Sequence, residues 1–413
     1  MQSSVADRSA PTLIQAPAQP RRISRLRLTT RILAPLAVLL YFLPLGSAGL
    51  YARFAADDMM NMYGYWHKGW GKLLVAQVHF FSGYYRPMGG IFYMPLYELF
   101  GMDPLPYRIG ILALLTINAI LAYITARTLT RSYVVAGLTA VLTSFHTGQF
   151  VLYFNTSQLY DVLCFTFWFG AFLYFARKRL RGEYLGWKQC AVLLALYVCS
   201  LNSKEMAVML PILLVAFELA WWRQLPDATA DRLKQRLIRG AVPIVVVGFA
   251  TLAYVIGKTS GPEALSNIDA YKPVITWGRF LDSNAHYAAE LFFRREHSIG
   301  RGNLLIVWAA MAYLAARYRR PYLWWGLALV IFGATPIAFI EGRGGGCLNI
   351  PAFGYALLAA ALVDSLTRWF SREPVFRWVR LRPVHARALL LLICVGLYAR
   401  SMHRWVDKSI AGW

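Results

Sequence analysis

Long apolar segments separated by short polar connections run through the chain from about residue 32 to residue 400. A helix needs roughly 20 apolar residues to cross a hydrocarbon core about 30 Å thick, and most of these segments approach that length. The pattern predicts an all-α, polytopic membrane protein with about eleven transmembrane helices. The predicted spans are 32–50, 107–126, 132–153, 159–176, 188–202, 205–222, 240–257, 303–318, 321–340, 347–367 and 387–400.

Two longer polar stretches, residues 51–106 and 258–302, interrupt this series. In the first, aromatic residues such as Trp66, Trp70 and Tyr97 recur among polar ones. This spacing is typical of amphipathic helices that lie in the membrane interface. We therefore expect interfacial helices in residues 51–106 and a further one in residues 258–302.

The composition fits a chain embedded in lipid. Hydrophobic residues make up 58% of the sequence and charged residues only 15%, whereas soluble domains carry about 25% charged residues. Lys and Arg outnumber Asp and Glu by 43 to 20, yet the basic residues cluster in short connections between apolar segments. This pattern is typical of cytoplasmic loops and argues against a nucleic-acid partner. The five cysteines lie in or beside apolar segments without CxxC spacing, so neither a disulfide nor a cysteine metal site is expected.

The distribution of charge also predicts the orientation. Basic residues concentrate before the first span and after every second span, and most acidic residues fall on the other side. The positive-inside rule then places the N-terminus in the cytoplasm and both long stretches outside it. Residues 1–30 are expected to form a disordered basic tail, and residues 31–413 a single transmembrane domain. If the first apolar segment were instead a cleavable signal peptide, residues after it would still lie outside.

Polar residues at the predicted outer ends of the helices are the candidates for chemistry, because charge close to hydrocarbon is costly. Each also has a structural interpretation, such as a helix cap for the tandem acids, a surface ion pair for the Lys-Glu sequence, or a satisfied core histidine. The candidates are Asp57, Asp58, Tyr85, Arg86, His146, Asp161, Lys204, Glu205 and Arg343.

Several of these residues stand in motifs that resemble a known family. The tandem aspartates after the first span, then Tyr85-Arg86-Pro87 and Phe100-Gly101, resemble the first outer loop of GT-C glycosyltransferases. The sequence is most similar to bacterial relatives of the transmembrane O-mannosyltransferases that carry tetratricopeptide repeats, although it contains no such repeats. Ser203-Lys204-Glu205 resembles the Ser-Lys-Glu motif of that family. His146, Asp161 and Arg343 match its other conserved positions.

The resemblance implies a membrane enzyme that transfers a sugar from a polyprenyl-phosphate donor to an acceptor hydroxyl, with inversion. The acceptor would be a glycan, a lipid or a protein, and the site would be periplasmic, on a bacterial inner membrane. Asp58 or Asp57 would serve as general base, and the other seven candidates would bind substrate. Some relatives use a divalent metal, which Asp57 and Asp58 could hold.

Two other functions fit the same sequence features. A transporter or flippase of lipid-linked saccharides would use the polar cluster as a translocation site. A polysaccharide polymerase or ligase would act on a lipid-linked oligosaccharide.

Overall fold

The computed structural model describes residues 25–80, 85–226, 233–260, 264, 267–292, 299–340, 342–372 and 382–410. Within these residues every regular element is helical, which confirms the all-α prediction. The helices are α1 (Arg25–Gly46), α2 (Ala56–Ala76), α3 (Pro87–Phe100), α4 (Pro104–Thr130), α5 (Tyr133–Ser144), α6 (Val151–Phe154), α7 (Leu159–Leu180), α8 (Trp187–Leu201), α9 (Leu210–Ala220), α10 (Leu233–Thr259), α11 (Trp277–Leu291), α12 (Arg301–Tyr318), α13 (Pro321–Phe332), α14 (Thr335–Ala338), α15 (Asn349–Phe370) and α16 (Pro383–Ile410).

Each predicted span overlaps a helix, and seven helical stretches of the described chain are long and apolar enough to cross a membrane. Two further apolar helices, α5 and α8, are shorter. The chain is therefore a multi-pass membrane protein, with fewer full-length spans by this measure than the eleven expected.

Two predicted boundaries differ from the structure. Residues 25–30, assigned to a disordered tail, belong to α1, because Arg and Leu are good helix formers and continue the helix of the apolar segment towards its N-terminus. Residues 1–24 of that tail lie outside the described residues. The predicted span 132–153 ends at Ser144, where Phe145 and His146 adopt extended backbone angles, so residues 145–158 form short helical turns instead.

A densely packed aromatic core holds the spans together. Helix α4 packs against α1, α5 and α7, and α15 packs against α5 and α13. Between them Phe172 stacks on Trp325 with ring centroids 4.4 Å apart, and Phe353 lies 4.7 Å from Phe169. A second apolar cluster, which includes Tyr93, lies beneath α2 and α3. The two helices of the first long stretch thus rest on a rigid base.

A buried ion pair joins the far ends of α7 and α9. Arg179 is fully buried and donates from Nε to Oε1 of Glu218 at 2.6 Å and from Nη2 to Oε2 at 3.3 Å. Removing one partner of such a pair leaves an uncompensated buried charge, which costs more than removing both partners.

We predict that Glu218→Leu lowers the free energy of unfolding by about 3–5 kcal/mol, whereas the double variant Arg179→Met/Glu218→Leu recovers most of the loss. Thermal unfolding of purified protein in detergent would measure both. The exposed Arg181→Gln serves as control and should change little. Equal melting temperatures for wild type and Glu218→Leu would contradict the assignment.

Candidate active site

Five of the nine predicted site residues line one cavity of about 650 Å³ at the end of the bundle where α2, α3, α4, α7 and α15 begin. They come from four separate parts of the chain. Among the residues that line the cavity are the predicted Asp57, Arg86, Lys204, Glu205 and Arg343, together with Asn61, Tyr160, Tyr271, His286 and Glu290.

The two tandem aspartates occupy different environments. Asp58 is fully buried in the first turn of α2, where its carboxylate accepts hydrogen bonds from the Ala55 backbone amide at 2.8 Å and from the Tyr93 hydroxyl at 3.1 Å. Burial raises the pKa of Asp58 despite these two bonds and the nearby Arg108. Asp57 is exposed and lines the cavity, and its carboxylate makes no hydrogen bond or ion pair with any described residue. Neighbours on a helix differ by about 100° in direction, so one aspartate caps the helix and the other faces the cavity.

Two ion pairs fix the cationic wall of the cavity. Arg86 binds Glu205 through two hydrogen bonds, Nε to Oε1 at 3.2 Å and Nη2 to Oε2 at 2.9 Å. The Lys204 ammonium donates to the carboxylate of Asp161 in the first turn of α7. Lys204 has extended backbone angles (φ −160°, ψ 151°), so its side chain and that of Glu205 reach different partners. The pairs thereby tie the segment between α8 and α9 to α3 and α7.

The ion pairs shift the pKa values of their members. Burial acts to raise the pKa of Glu205, but Arg86, together with Lys258, outweighs it and holds that pKa at about 2. Burial acts to lower the pKa of Lys204, and the Asp161 carboxylate reverses this, so that the pKa of Lys204 lies above its ordinary value. Both side chains are therefore charged at neutral pH.

Tyr85 and His146 lie outside the cavity lining, and Asp161 reaches it through Lys204. The ring of Tyr85 lies under the Lys68 ammonium, 4.2 Å from the ring centroid, and its carbonyl accepts a hydrogen bond from Lys258 at 2.7 Å. The buried His146 ring accepts from the Gly148 amide at Nδ1 (3.0 Å) and lies 3.1 Å from the Leu291 carbonyl through Nε2. With the proton on Nε2, His146 links the loop after α5 to the end of α11.

Helix α11 contributes a carboxylate to the cavity that the sequence analysis left among interfacial residues. Glu290 accepts a hydrogen bond from the Gly345 amide at 2.7 Å, and His286 Nε2 lies 3.0 Å from its other oxygen. The Glu290 carboxylate raises the pKa of His286. The sequence feature that could have identified this pair is the four-residue spacing of His286 and Glu290, which puts them on one face of a helix.

The glycine-rich segment that carries Arg343 fits closely around Glu290. A Cβ on Gly344 would overlap a Glu290 carboxylate oxygen, and Gly345 has a φ of 57°, which favours glycine. The Arg343 guanidinium lies 4.1 Å from the centroid of the Tyr271 ring and donates one hydrogen bond to the Ala270 carbonyl. No carboxylate among the described residues pairs with it, and its Nε is buried without a hydrogen-bond partner.

The cavity therefore contains an exposed carboxylate, Asp57, together with three cations, Arg86, Lys204 and Arg343. Guanidinium and ammonium groups of this kind bind phosphate oxygens and stabilise charge that develops on them. Within the described ranges no group of three or more His, Cys, Asp or Glu side chains is arranged to hold a metal ion. Both Asp58 oxygens already accept hydrogen bonds.

The Arg86–Glu205 pair should make stability depend on pH. The pKa of Glu205 is lower in the folded chain than its ordinary 4.5. The contribution of Glu205 to the free energy of unfolding is therefore complete above about pH 4.5 and is lost as the pH falls towards 2. We predict that Glu205→Gln costs on the order of 2 kcal/mol at neutral pH. The gap in melting temperature between wild type and variant should narrow in acid. Parallel melting curves from pH 7 to pH 3 would refute this.

A second prediction concerns the arginine segment. Gly344→Ala must displace Glu290 or the segment itself, because its Cβ has no room, and we expect destabilisation of about 1–3 kcal/mol. Alkylation of Cys347, which lines the cavity in the same segment, should accelerate. The control is Gly137→Ala, where an added Cβ meets nothing within 4 Å. If Gly344→Ala has the melting temperature and the Cys347 alkylation rate of wild type, the segment accommodates the added Cβ without cost and the prediction is wrong.

Comparison with known proteins adds little to this description. No protein-family model and no curated protein sequence matches the chain. Among solved structures the chain is similar to ArnT from Cupriavidus metallidurans bound to undecaprenyl phosphate, with 14% sequence identity and a TM-score of 0.40 over 93% of this chain and 73% of that one. A likeness at that TM-score supports no conclusion about activity.

Proposed function

We propose that this protein is a membrane glycosyltransferase of the GT-C type that transfers a sugar from a polyprenyl-phosphate donor to an acceptor hydroxyl. The observation that carries the proposal is the cavity itself. Its lining combines Asp57, an exposed carboxylate unpaired within the described chain, with the cations Arg86, Lys204 and Arg343, at one end of membrane-spanning helices. A phosphate held at a membrane surface and a base for a hydroxyl are the two requirements of this reaction.

Asp57 is the proposed general base. Transfer to a hydroxyl requires a proton acceptor within hydrogen-bond reach of the attacking oxygen. The Asp57 carboxylate is open to the cavity, whereas the oxygens of Asp58 are occupied by Ala55 and Tyr93. The carboxylate would take the hydroxyl proton as the oxygen bonds to the anomeric carbon. The bond from that carbon to the lipid phosphate breaks on the opposite side, which inverts the configuration.

Arg343 is the proposed main ligand of the departing phosphate. Arg86 and Lys204 are each engaged by a carboxylate, whereas Arg343 makes one hydrogen bond to a carbonyl and none to a carboxylate of the described chain. Its remaining N–H groups can bind phosphate oxygens bidentately. Arg86 and Lys204 would add positive potential, with Glu205 and Asp161 as positioning residues. Tyr85 and His146, which lie behind the wall, would support its shape rather than bind substrate.

The distribution of charge along the same helices supports an extracytoplasmic site. Arg127 and Arg131 lie at the end of α4, and Arg177, Arg179 and Arg368 near the ends of α7 and α15. These are the ends opposite the cavity. Because basic clusters mark the cytoplasmic side of a multi-pass protein, the cavity would open to the periplasm of a bacterial inner membrane. The acceptor there would be a glycan, lipid or protein hydroxyl.

The likeness of the Ser203-Lys204-Glu205 sequence to the O-mannosyltransferase motif is consistent with the geometry. Lys204 and Glu205 face the same cavity and each is held by a residue that the resemblance also singled out, Asp161 and Arg86. We propose that the relationship to that family extends to the polar cluster.

We predict that Asp57→Asn lowers sugar transfer by about 10²–10⁴-fold with an unchanged melting temperature, whereas Asp58→Asn destabilises the fold. The assay is transfer by purified protein in liposomes, supplied with polyprenyl-phosphate-linked monosaccharides. Acceptors would be identified by mass spectrometry of glycolipids and glycoproteins from a strain that lacks the chain. Asp407→Asn, an exposed carboxylate on α16, is the matched control.

Three outcomes would count against the proposal. Sugar transfer by Asp57→Asn at the wild-type rate would show that Asp57 is not the general base. If wild type moves the lipid across the liposome bilayer but transfers no sugar, and Asp57→Asn loses this movement, the result would favour a flippase. Activity confined to lipid-linked oligosaccharides would indicate a polymerase or ligase.

A further inference from the structure

A second cavity, of about 380 Å³, lies at the other end of the bundle. Helices α4 and α15 begin near the candidate active site and end here, and α5 and α13 begin here. Cys347 lines the first cavity and Arg368 the second, and at 1.5 Å per residue the helix between them spans about 30 Å, roughly the thickness of a hydrocarbon core. The second cavity therefore belongs to the opposite membrane surface and takes no part in the proposed transfer.

Three arginines, Arg131, Arg320 and Arg368, line this second cavity together with the single carboxylate of Asp364. Arg368 shares Asp364 with Arg387, which also donates to it. The side chains of Arg131 and Arg320 make no hydrogen bond or ion pair with any residue that the structure describes. Of the three arginines in the lining, Arg131 and Arg320 are thus the two without an ion-pair partner in the described chain.

Arg131 is one of two arginines that end a helix with a left-handed backbone (φ 56°). The other, Arg319, has a similar φ but does not line the cavity. The position of Arg131 in the cavity lining, and not its backbone conformation, is therefore the observation that bears on binding.

Several apolar side chains also line the cavity, and part of this apolar wall is exposed on the surface of the bundle. It includes Val135, Leu314, Leu358 and Leu362, of which Leu362 is 39% exposed, and the adjoining Tyr318 is 47% exposed. Hydroxyl groups of Ser132 and Ser365 lie among the arginines. Cations and hydroxyls beside an apolar, lipid-facing wall match a molecule with an anionic head and hydrocarbon chains.

We propose that this cavity binds an anionic phospholipid with two negative charges, of the cardiolipin type. Each of the two unpaired guanidinium groups would bind one phosphate, and the Ser132 hydroxyl, which accepts a hydrogen bond from the Val135 amide, would donate a further one. The apolar wall would hold the acyl chains. Basic pockets between transmembrane helices on the cytoplasmic side are suited to such head groups, and this cavity lies on the side where the arginines concentrate.

The test measures lipid binding to the purified full-length protein in detergent. Cardiolipin, phosphatidylglycerol and phosphatidylcholine are each titrated, with melting temperature and native mass spectrometry as readouts. The variants are Arg131→Gln, Arg320→Gln and the pair together. The matched control is Arg319→Gln, since Arg319 adjoins Arg320 and also has a positive φ (51°) but does not line the cavity.

Wild type and Arg319→Gln should bind cardiolipin and melt at a higher temperature with it, whereas the double variant should lose affinity by at least about tenfold. Phosphatidylglycerol should bind more weakly than cardiolipin, and phosphatidylcholine should have no effect. All variants should melt like wild type without lipid, because the two guanidinium groups have no partner in the described chain to lose.

Several results would overturn the proposal. Equal cardiolipin affinity in wild type and the double variant would show that the arginines do not form the site. An equal shift with glycerol 3-phosphate would indicate a small-anion site without a role for the acyl chains. A preference for a polyprenyl monophosphate over cardiolipin would identify a different lipid class.

Discussion

Compensation of charge at the membrane surface is the constraint on which the candidate site depends. A guanidinium or ammonium group beside a hydrophobic bundle is unfavourable unless a carboxylate accompanies it. Arg86 and Lys204 meet this requirement through Glu205 and Asp161. Because the four residues come from α3, from α7 and from the segment between α8 and α9, the same pairs that neutralise the cations also bring these elements together.

The charged residues of the cavity that have no ion-pair partner in the described chain are the ones available for chemistry. The Asp57 carboxylate has no hydrogen-bond or ion-pair partner in the described chain, and Arg343 has an aromatic ring and a carbonyl but no carboxylate. Two other carboxylates have structural roles instead: Asp58 caps α2, and Glu290 accepts a hydrogen bond from the glycine-rich segment. A carboxylate and a guanidinium are thus kept available in a cavity whose other charges are paired.

The bundle also differs between its two ends. At the end proposed to be extracytoplasmic, acids and bases alternate around a large cavity, whereas at the other end arginines predominate over Asp364. The long helices α4 and α15 run between the two cavities and carry the packed core. The same segments therefore supply the membrane anchor and, at one end, a surface suited to anionic lipid.

The sequence alone determined the all-helical membrane architecture and named five of the residues that line the cavity, because segment length and polarity are local properties that lipid enforces directly. Tertiary structure decided which aspartate faces the cavity, since adjacent helical residues differ by about 100° in direction. It also placed Glu290 in the cavity and His146 behind it. Both depend on how α11 packs against the loop after α5, a long-range contact that no local pattern encodes.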